Sequence, residues 1–280
     1  MLDQDPPRGL GERLVALGRF LRLAPLPIAE LTRLARLARE RDVRPGERLA
    51  VQGQAVRVVH FVISGRLALT DQGRELLTLE APETVGLIPL AAATPFPYEA
   101  RALTPVHSIE VPAALVADVL EDDFDFFLRV LRQGAETVLR RDRIGAAAPE
   151  TATPAASGSA LAGPLGAAER LLVVRNTDLF RRCPVDGLAT LVKQLDDVLV
   201  PAGESLLAPG TDQLAVVVSD GSVLGVVEAL AGVRPDADLR ATSATLVLRG
   251  TASDLLDTLE DHHSMARWLL AALLARLVQT

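Results

Sequence analysis

The chain has 280 residues, 49% of them hydrophobic and 23% charged, with a formal net charge of −7. That length and apolar fraction suit one or two globular domains, two slightly favoured. The acidic balance argues against nucleic acid as a partner. Lys193 is the only lysine, the other basic side chains being Arg; with the wealth of Ala, Leu, Gly and Pro, this reads as a bacterial-like composition rather than a phosphate-binding signature. With Cys183 alone, no intrachain disulfide can form. No run of 18 apolar residues occurs, and the acidic start Met1-Leu2-Asp3-Gln4-Asp5-Pro6-Pro7 lacks a signal-peptide core, so a cytoplasmic protein with no membrane partner is expected.

In chain order, Glu12 to Arg41 carries Leu14, Leu17, Leu21, Leu31, Leu34 and Leu37 at helical spacing, interrupted near Pro25 and Pro27. Strand-like runs follow at Arg48–Val51, Val56–Ile63, Leu67–Thr70, Glu75–Leu79 and Val106–Val111, punctuated by Gly53, Ser64-Gly65 and Asp71-Gln72-Gly73. Ala113 to Arg143 reads as helical again, with the Asp residues of Asp122-Asp123-Phe124-Asp125-Phe126-Phe127 at a helix start and its Phe residues turned inward. Small residues and prolines from Gly145 to Gly166 read as a flexible linker. Beyond it, Ala167 to Asp197 repeats the first helical region, broken near Pro184. Ser205–Leu207, Leu214–Val218 and Ala244–Leu248 read as strands, and Ser253 to Val278 closes the chain as helix. The domains expected are 1–144, a linker 145–166, and 167–280.

The two halves share landmarks. Pro45-Gly46-Glu47-Arg48-Leu49 answers to Ala202-Gly203-Glu204-Ser205-Leu206. Gly46 to Gly65 is 19 positions and Gly203 to Gly221 is 18, while Gly86 to Arg101 and Gly225 to Arg240 are both 15. The interval that breaks the match is Gly65 to Gly86, 21 positions against 4 from Gly221 to Gly225. The sequence therefore predicts two copies of one domain, the second lacking a strand pair.

These phrases, together with Arg175-Asn176-Thr177-Asp178-Leu179-Phe180, Val200-Pro201-Ala202-Gly203-Glu204 and His60-Phe61-Val62-Ile63-Ser64-Gly65, resemble the cyclic-nucleotide-binding domain family over roughly residues 12–143 and 167–279. The resemblance implies an α+β, mainly β fold: two tandem jelly rolls with flanking helices, the second roll shortened. In that family a Gly-Glu pair opens a helix-and-loop cassette, the Glu holding the ribose hydroxyl and an Arg about ten residues later pairing with the cyclic phosphate. In the first copy Gly86 is kept, Leu87 stands at the Glu position and Phe96 at the phosphate Arg, with Glu99 nearby and the Arg101-Ala102 landmark following. In the second, Gly225 is kept, Val226 replaces the Glu, and Arg234 lies beside the phosphate position. Since a charge-assisted contact to phosphate is the strong kind, both cassettes are expected to be degenerate, with no cofactor.

His262-His263 beside Glu260 and Asp261 reads as a polar helix start, adjacent helical residues pointing different ways. His60 and His107 read as sheet histidines. Cys183, though flanked by Arg181 and Arg182, has no base or orienter near it in sequence and reads as a structural thiol. The helix Met265–Val278 is apolar over a wide arc that includes Trp268, Leu269, Leu273 and Leu277, which favours an interface. The chain ends at Thr280 directly after this helix, leaving no room for a helix-turn-helix.

No acid–base pair or nucleophile arrangement appears, so no enzyme is expected. What remains is a regulatory or scaffolding protein acting on an unidentified protein partner or by self-association through the C-terminal helix. The alternative is a sensor that takes a cyclic nucleotide or another small molecule in a relined roll.

Overall fold

The computed structural model describes residues 9–20, 26–145 and 165–278. Apart from its end residues, the linker expected at 145–166 lies outside them. The chain divides into two units, 1–130 with 274–280 and 131–273, so the division falls inside a helix upstream of that linker.

The first unit opens with helices α1 (Leu10–Phe20) and α2 (Ile28–Leu37). Strands β1 (Arg39–Val43), β2 (Arg48–Ala50), β3 (Val58–Ser64), β4 (Arg66–Asp71), β5 (Arg74–Glu80) and β6 (Glu83–Val85) follow. A short helix α3 (Leu87–Ala91) interrupts the strands before β7 (Glu99–Ala102) and β8 (Val106–Pro112), and helix α4 (Ala113–Asp122) comes next, followed by α5 (Phe124–Gly145), whose residues from Leu131 on belong to the second unit. The strands form two four-stranded antiparallel sheets, ordered β1-β8-β3-β6 and β2-β7-β4-β5: the expected jelly roll. Period-two alternation turns Phe61 of β3 outward to the helices, where its ring meets Phe20 edge-on at 5.4 Å.

The second unit has α6 (Ala167–Arg175), α7 (Val185–Lys193), β9 (Asp196–Val200), β10 (Ser205–Leu207), β11 (Gln213–Val217), β12 (Val223–Leu224), α8 (Val226–Ala231), β13 (Leu239–Arg240), β14 (Thr245–Thr251), α9 (Ala252–Asp261) and α10 (His263–Val278). Its sheets are β12-β11-β14-β9 and a two-stranded β10-β13. From α1 to β2 each element starts 157 positions before its counterpart. For α3, β8, α4 and α5 the offset is 139, and the 18 positions lost hold the β4–β5 hairpin. The second roll is shortened as expected.

Several expected boundaries move. The helical readings of Glu12–Arg41 and Ala167–Asp197 overrun: α2 stops at Leu37 and α7 at Lys193, and β1 and β9 begin almost at once. Both are edge strands of their sheets, bonded on one side only, so the charged run Arg39-Glu40-Arg41-Asp42 needs no apolar alternation there. The helical reading of Ala113–Arg143 is two helices. Asp123 breaks it in an extended conformation and its Oδ1 accepts the Phe126 N–H at 2.8 Å, an N-cap for α5. Ser253–Val278 is likewise split at His262. The wide apolar arc of α10 is largely consumed inside the chain: Met265, Leu269, Leu270, Leu273, Leu274 and Leu277 are buried, and Trp268, 42% exposed, is the large apolar side chain of that arc left on the surface.

Candidate functional site

The first cassette begins where β6 ends. Gly86 takes φ +98°, and a Cβ there would lie 3.1 Å from the Val58 carbonyl oxygen and 3.4 Å from Phe96 Cζ, so the chain needs glycine to turn into α3. Leu87, Phe96 and Tyr98 are 5%, 6% and 5% exposed, and the two rings pack with centroids 6.1 Å apart. The backbone locks Phe96 in place: its N–H donates to the Gln54 carbonyl at 3.0 Å, and Gly53 N–H donates to its carbonyl at 2.8 Å. Gln52 ties the assembly together, its Nε2 donating to Asp71 Oδ1 at 2.6 Å on the β4–β5 turn and to the Pro97 carbonyl at 3.1 Å. Burial drives the Tyr98 phenol well above its ordinary range, the negative charge of Glu83 adding to this, while the Gly86 backbone N–H donates to its oxygen. The two residues that the sequence puts at the ribose and phosphate positions, Leu87 and Phe96, are thus a buried leucine and a buried ring.

Arg101 points away from this core. Its Nη1 donates to the Gly46 carbonyl at 2.8 Å, and it pairs with Glu99 at 2.6 Å, which Arg48 also reaches at 3.3 Å. Desolvation of Glu99 is outweighed by the hydrogen bonds from Arg101 and Arg48, which hold its carboxyl below the usual range. Glu99 is therefore part of a clasp. The second unit repeats it: Arg240 Nη1 donates to the Gly203 carbonyl at 2.8 Å and pairs with Asp238, whose Oδ1 accepts the Ser205 hydroxyl at 2.7 Å. Ser205 and Arg240 hold Asp238 below the usual carboxylate range.

In the second cassette Gly225 has φ +77°, and a Cβ there would lie 2.6 Å from the Gln213 carbonyl oxygen. Val226 is buried. Pro235 occupies the place of Phe96: Gly210 N–H donates to its carbonyl at 2.8 Å, as Gly53 does to Phe96. Arg234 extends over this turn, Nη1 donating to the Gly210 carbonyl at 2.9 Å. The interior next to it is apolar, formed by Val200, Leu206, Ala215, Val217, Ala241 and Val247.

The sequence reads His60 as a sheet histidine and gives no sign of its polar partners. His60, 1% exposed, lies opposite Glu110 in the β3–β8 register and its Nδ1 is 3.6 Å from Glu110 Oε1. Glu110 in turn accepts from Arg41 Nη1 at 2.9 Å. The signal available was a lone histidine at an inward position of an otherwise apolar strand. Its structural cause is a β-bulge between Arg48 and Ala50: the ring bonds to the Leu49 backbone there. The matching bulge in the second unit is met differently, Arg249 Nη2 reaching the Leu206 carbonyl at 3.5 Å.

The remaining sequence candidates are dispersed. His107 Nδ1 lies 2.7 Å from Asp42 Oδ1 at the sheet edge. His262 joins Thr190 at 3.0 Å, between α9 and α10. Cys183 is buried, and desolvation pushes its thiol up to about 12. Among the described residues no group of three or more His, Cys, Asp or Glu is placed to hold a metal, and no helix is long and apolar enough to cross a membrane.

Residues 40–123 match the family model described as Cyclic nucleotide-binding domain. No curated protein matches the chain. Among solved structures, the chain is similar to the regulatory subunit of a cAMP-independent protein kinase A from Trypanosoma brucei, with 11% identity, 92% of each chain covered and a TM-score of 0.38. It is also similar to the sensor domain of the transcriptional regulator DNR from Pseudomonas aeruginosa, with 19% identity over 50% of this chain and 98% of that one, TM-score 0.40. A third is a putative cyclic nucleotide-binding protein from Geobacter metallireducens, 18% identical over 45% of this chain and 94% of that one, TM-score 0.38.

Proposed function

We propose that this chain is a non-enzymatic regulatory or scaffolding protein whose two rolls have given up cyclic nucleotides and which acts by protein–protein interaction. The observation that carries the reading is the Phe96 ring, buried against Gly86 and Tyr98 at the position where a phosphate-binding cassette places its arginine. A cyclic phosphate needs a cation or several free donors to replace its water, and an aromatic ring offers neither. Leu87 beside it has no acceptor for a ribose hydroxyl. In the second cassette Val226 is equally inert, and Arg234 already serves the Gly210 carbonyl.

Calorimetry of the purified chain with cyclic AMP and cyclic GMP tests this. The reading predicts no heat up to millimolar nucleotide, and micromolar binding by either would overturn it. One observation favours a second reading, a sensor for a different small ligand: His60, Glu110 and Arg41 share the inward face of the β1-β8-β3-β6 sheet. A ligand that shifts the melting temperature of the wild type, but not of a His60→Ala variant, would support it.

A further inference from the structure

We propose that a groove between the second half of α5 and the end of α8 docks an acidic peptide segment, bearing a large apolar side chain, from a partner protein. This rests on the reading that the chain acts by protein–protein contact, and it names the chemistry of the partner.

The groove has a volume of about 390 Å³ and is lined by Glu136, Leu139, Arg140, Arg143, Ala231 and Val233, all in the second unit. Helical periodicity builds one wall: positions 132, 136, 139–140 and 143 recur every three to four residues and fall along one face of α5. The other wall exists because α8 stops at Gly232, whose φ of +69° ends the helix in a left-handed cap. Arg132 closes that end, its guanidinium atoms lying 3.1–3.4 Å from where a Cβ of Gly232 would sit. Val233 is 43% exposed and Leu139 half-buried, giving the groove an apolar floor open to solvent.

Its rim carries more arginine than carboxylate, on a chain of net charge −7. Arg132, Arg140 and Arg143 stand on α5 with Glu136 among them, and Asp236 faces Arg143. Arg143 reaches Asp236 only at 3.9 Å, with both side chains exposed, a pair that a better-placed carboxylate can displace. Guanidinium groups recognise carboxylates through paired N–H donors. A local positive field on an acidic protein steers an acidic partner to that spot and away from the rest of the surface. The open apolar strip between the arginines takes one large side chain of such a segment, which supplies the desolvated anchor that charge alone lacks.

The test uses the full chain and two fluorescein-labelled peptides of twelve residues, one alternating Glu and Leu, the other Lys and Leu, followed by fluorescence anisotropy. The expected result is that the Glu–Leu peptide binds at least tenfold more tightly than the Lys–Leu peptide. That preference should fall at least tenfold in the Arg140→Glu/Arg143→Glu variant and survive in an Arg66→Glu control in the first unit. Both mutated groove side chains are exposed, so the variant should keep the wild-type circular dichroism, and binding is compared at a temperature below both melting transitions. Equal affinity for the two peptides, or indifference of the acidic peptide to Arg140→Glu/Arg143→Glu, would overturn the proposal. So would concentration-dependent self-association of the chain that this variant abolishes, since it assigns the groove to a second copy. A calorimetric signal with cyclic nucleotide bears on the preceding reading alone and leaves this comparison intact.

Discussion

At the residue scale, the most consequential side chain is His60. Desolvation lowers its pKa from 6.5 to about 4, with Glu110 pulling it up, Arg41 pushing it down and the Leu49 backbone bond raising it. An unfolded His60 binds a proton below pH 6.5 and the folded one does not until about pH 4. The stability tied to this group is therefore present above pH 6.5 and lost as pH falls towards 4, by about 3 kcal/mol across that window. Urea unfolding at pH 7 and pH 4.5 should show a larger loss in the wild type than in His60→Gln, which keeps a donor for Leu49 without titrating. Equal losses in the two proteins contradict this. Cys183 gives a second check: with its thiol pushed up to about 12, it should react with a disulfide reagent at neutral pH only after denaturation. Ala93 holds φ +53° in the first cassette, where the second unit has Gly232 at +69°. Ala93→Gly should raise the melting temperature, relieving about 1 kcal/mol of left-handed strain, and Gly232→Ala should lower it by at least as much.

Elements were legible in the sequence where apolar periodicity and turn residues coincide. The β4–β5 hairpin is bounded by Gly65 and by the Asp71-Gln72-Gly73 turn, and it falls where alternation predicted it. The short strands β6, β7, β12 and β13 carry two to four residues each, too few for a period to register. Edge strands β1 and β9 are hard to see for another reason: each buries one residue deeply, Val43 or Val200, and is otherwise held by backbone pairing to β8 or β14. The turn into α3 at Gly86 was legible because glycine spacing marks it. The polar cluster around His60 was not, because it answers a β-bulge that no residue pattern announces. Cassette chemistry sets the prediction at this scale. Leu87→Glu with Phe96→Arg restores the missing groups but puts two charges where the fold buries a leucine and a ring, at a cost on the order of 3 kcal/mol or more. The double variant should melt lower than the wild type and show no cyclic-AMP binding at millimolar concentration; measurable affinity would mean that the roll retains room for the nucleotide.

At the scale of the whole molecule, the two units follow one order of elements. The constant offset of 157 positions, then 139, carries with it the same clasps: Arg101 and Arg240 on the carbonyls of Gly46 and Gly203, and Gly53 and Gly210 on the carbonyls of Phe96 and Pro235. What both copies keep is the set of backbone contacts that hold a cassette in place. On the proposed reading neither keeps the side chains that grip a nucleotide, and among the described residues the second unit has no counterpart of the β4–β5 hairpin. Loss of ligand groups with retention of the frame is what a domain kept for its surfaces would undergo, and the basic groove beside α8 is such a surface. The measurement that bears most directly on this account is calorimetric titration of the intact chain with cyclic AMP and cyclic GMP to millimolar concentration. The account predicts no heat of binding with either nucleotide; a saturable micromolar isotherm would contradict it and return the first roll to the sensors.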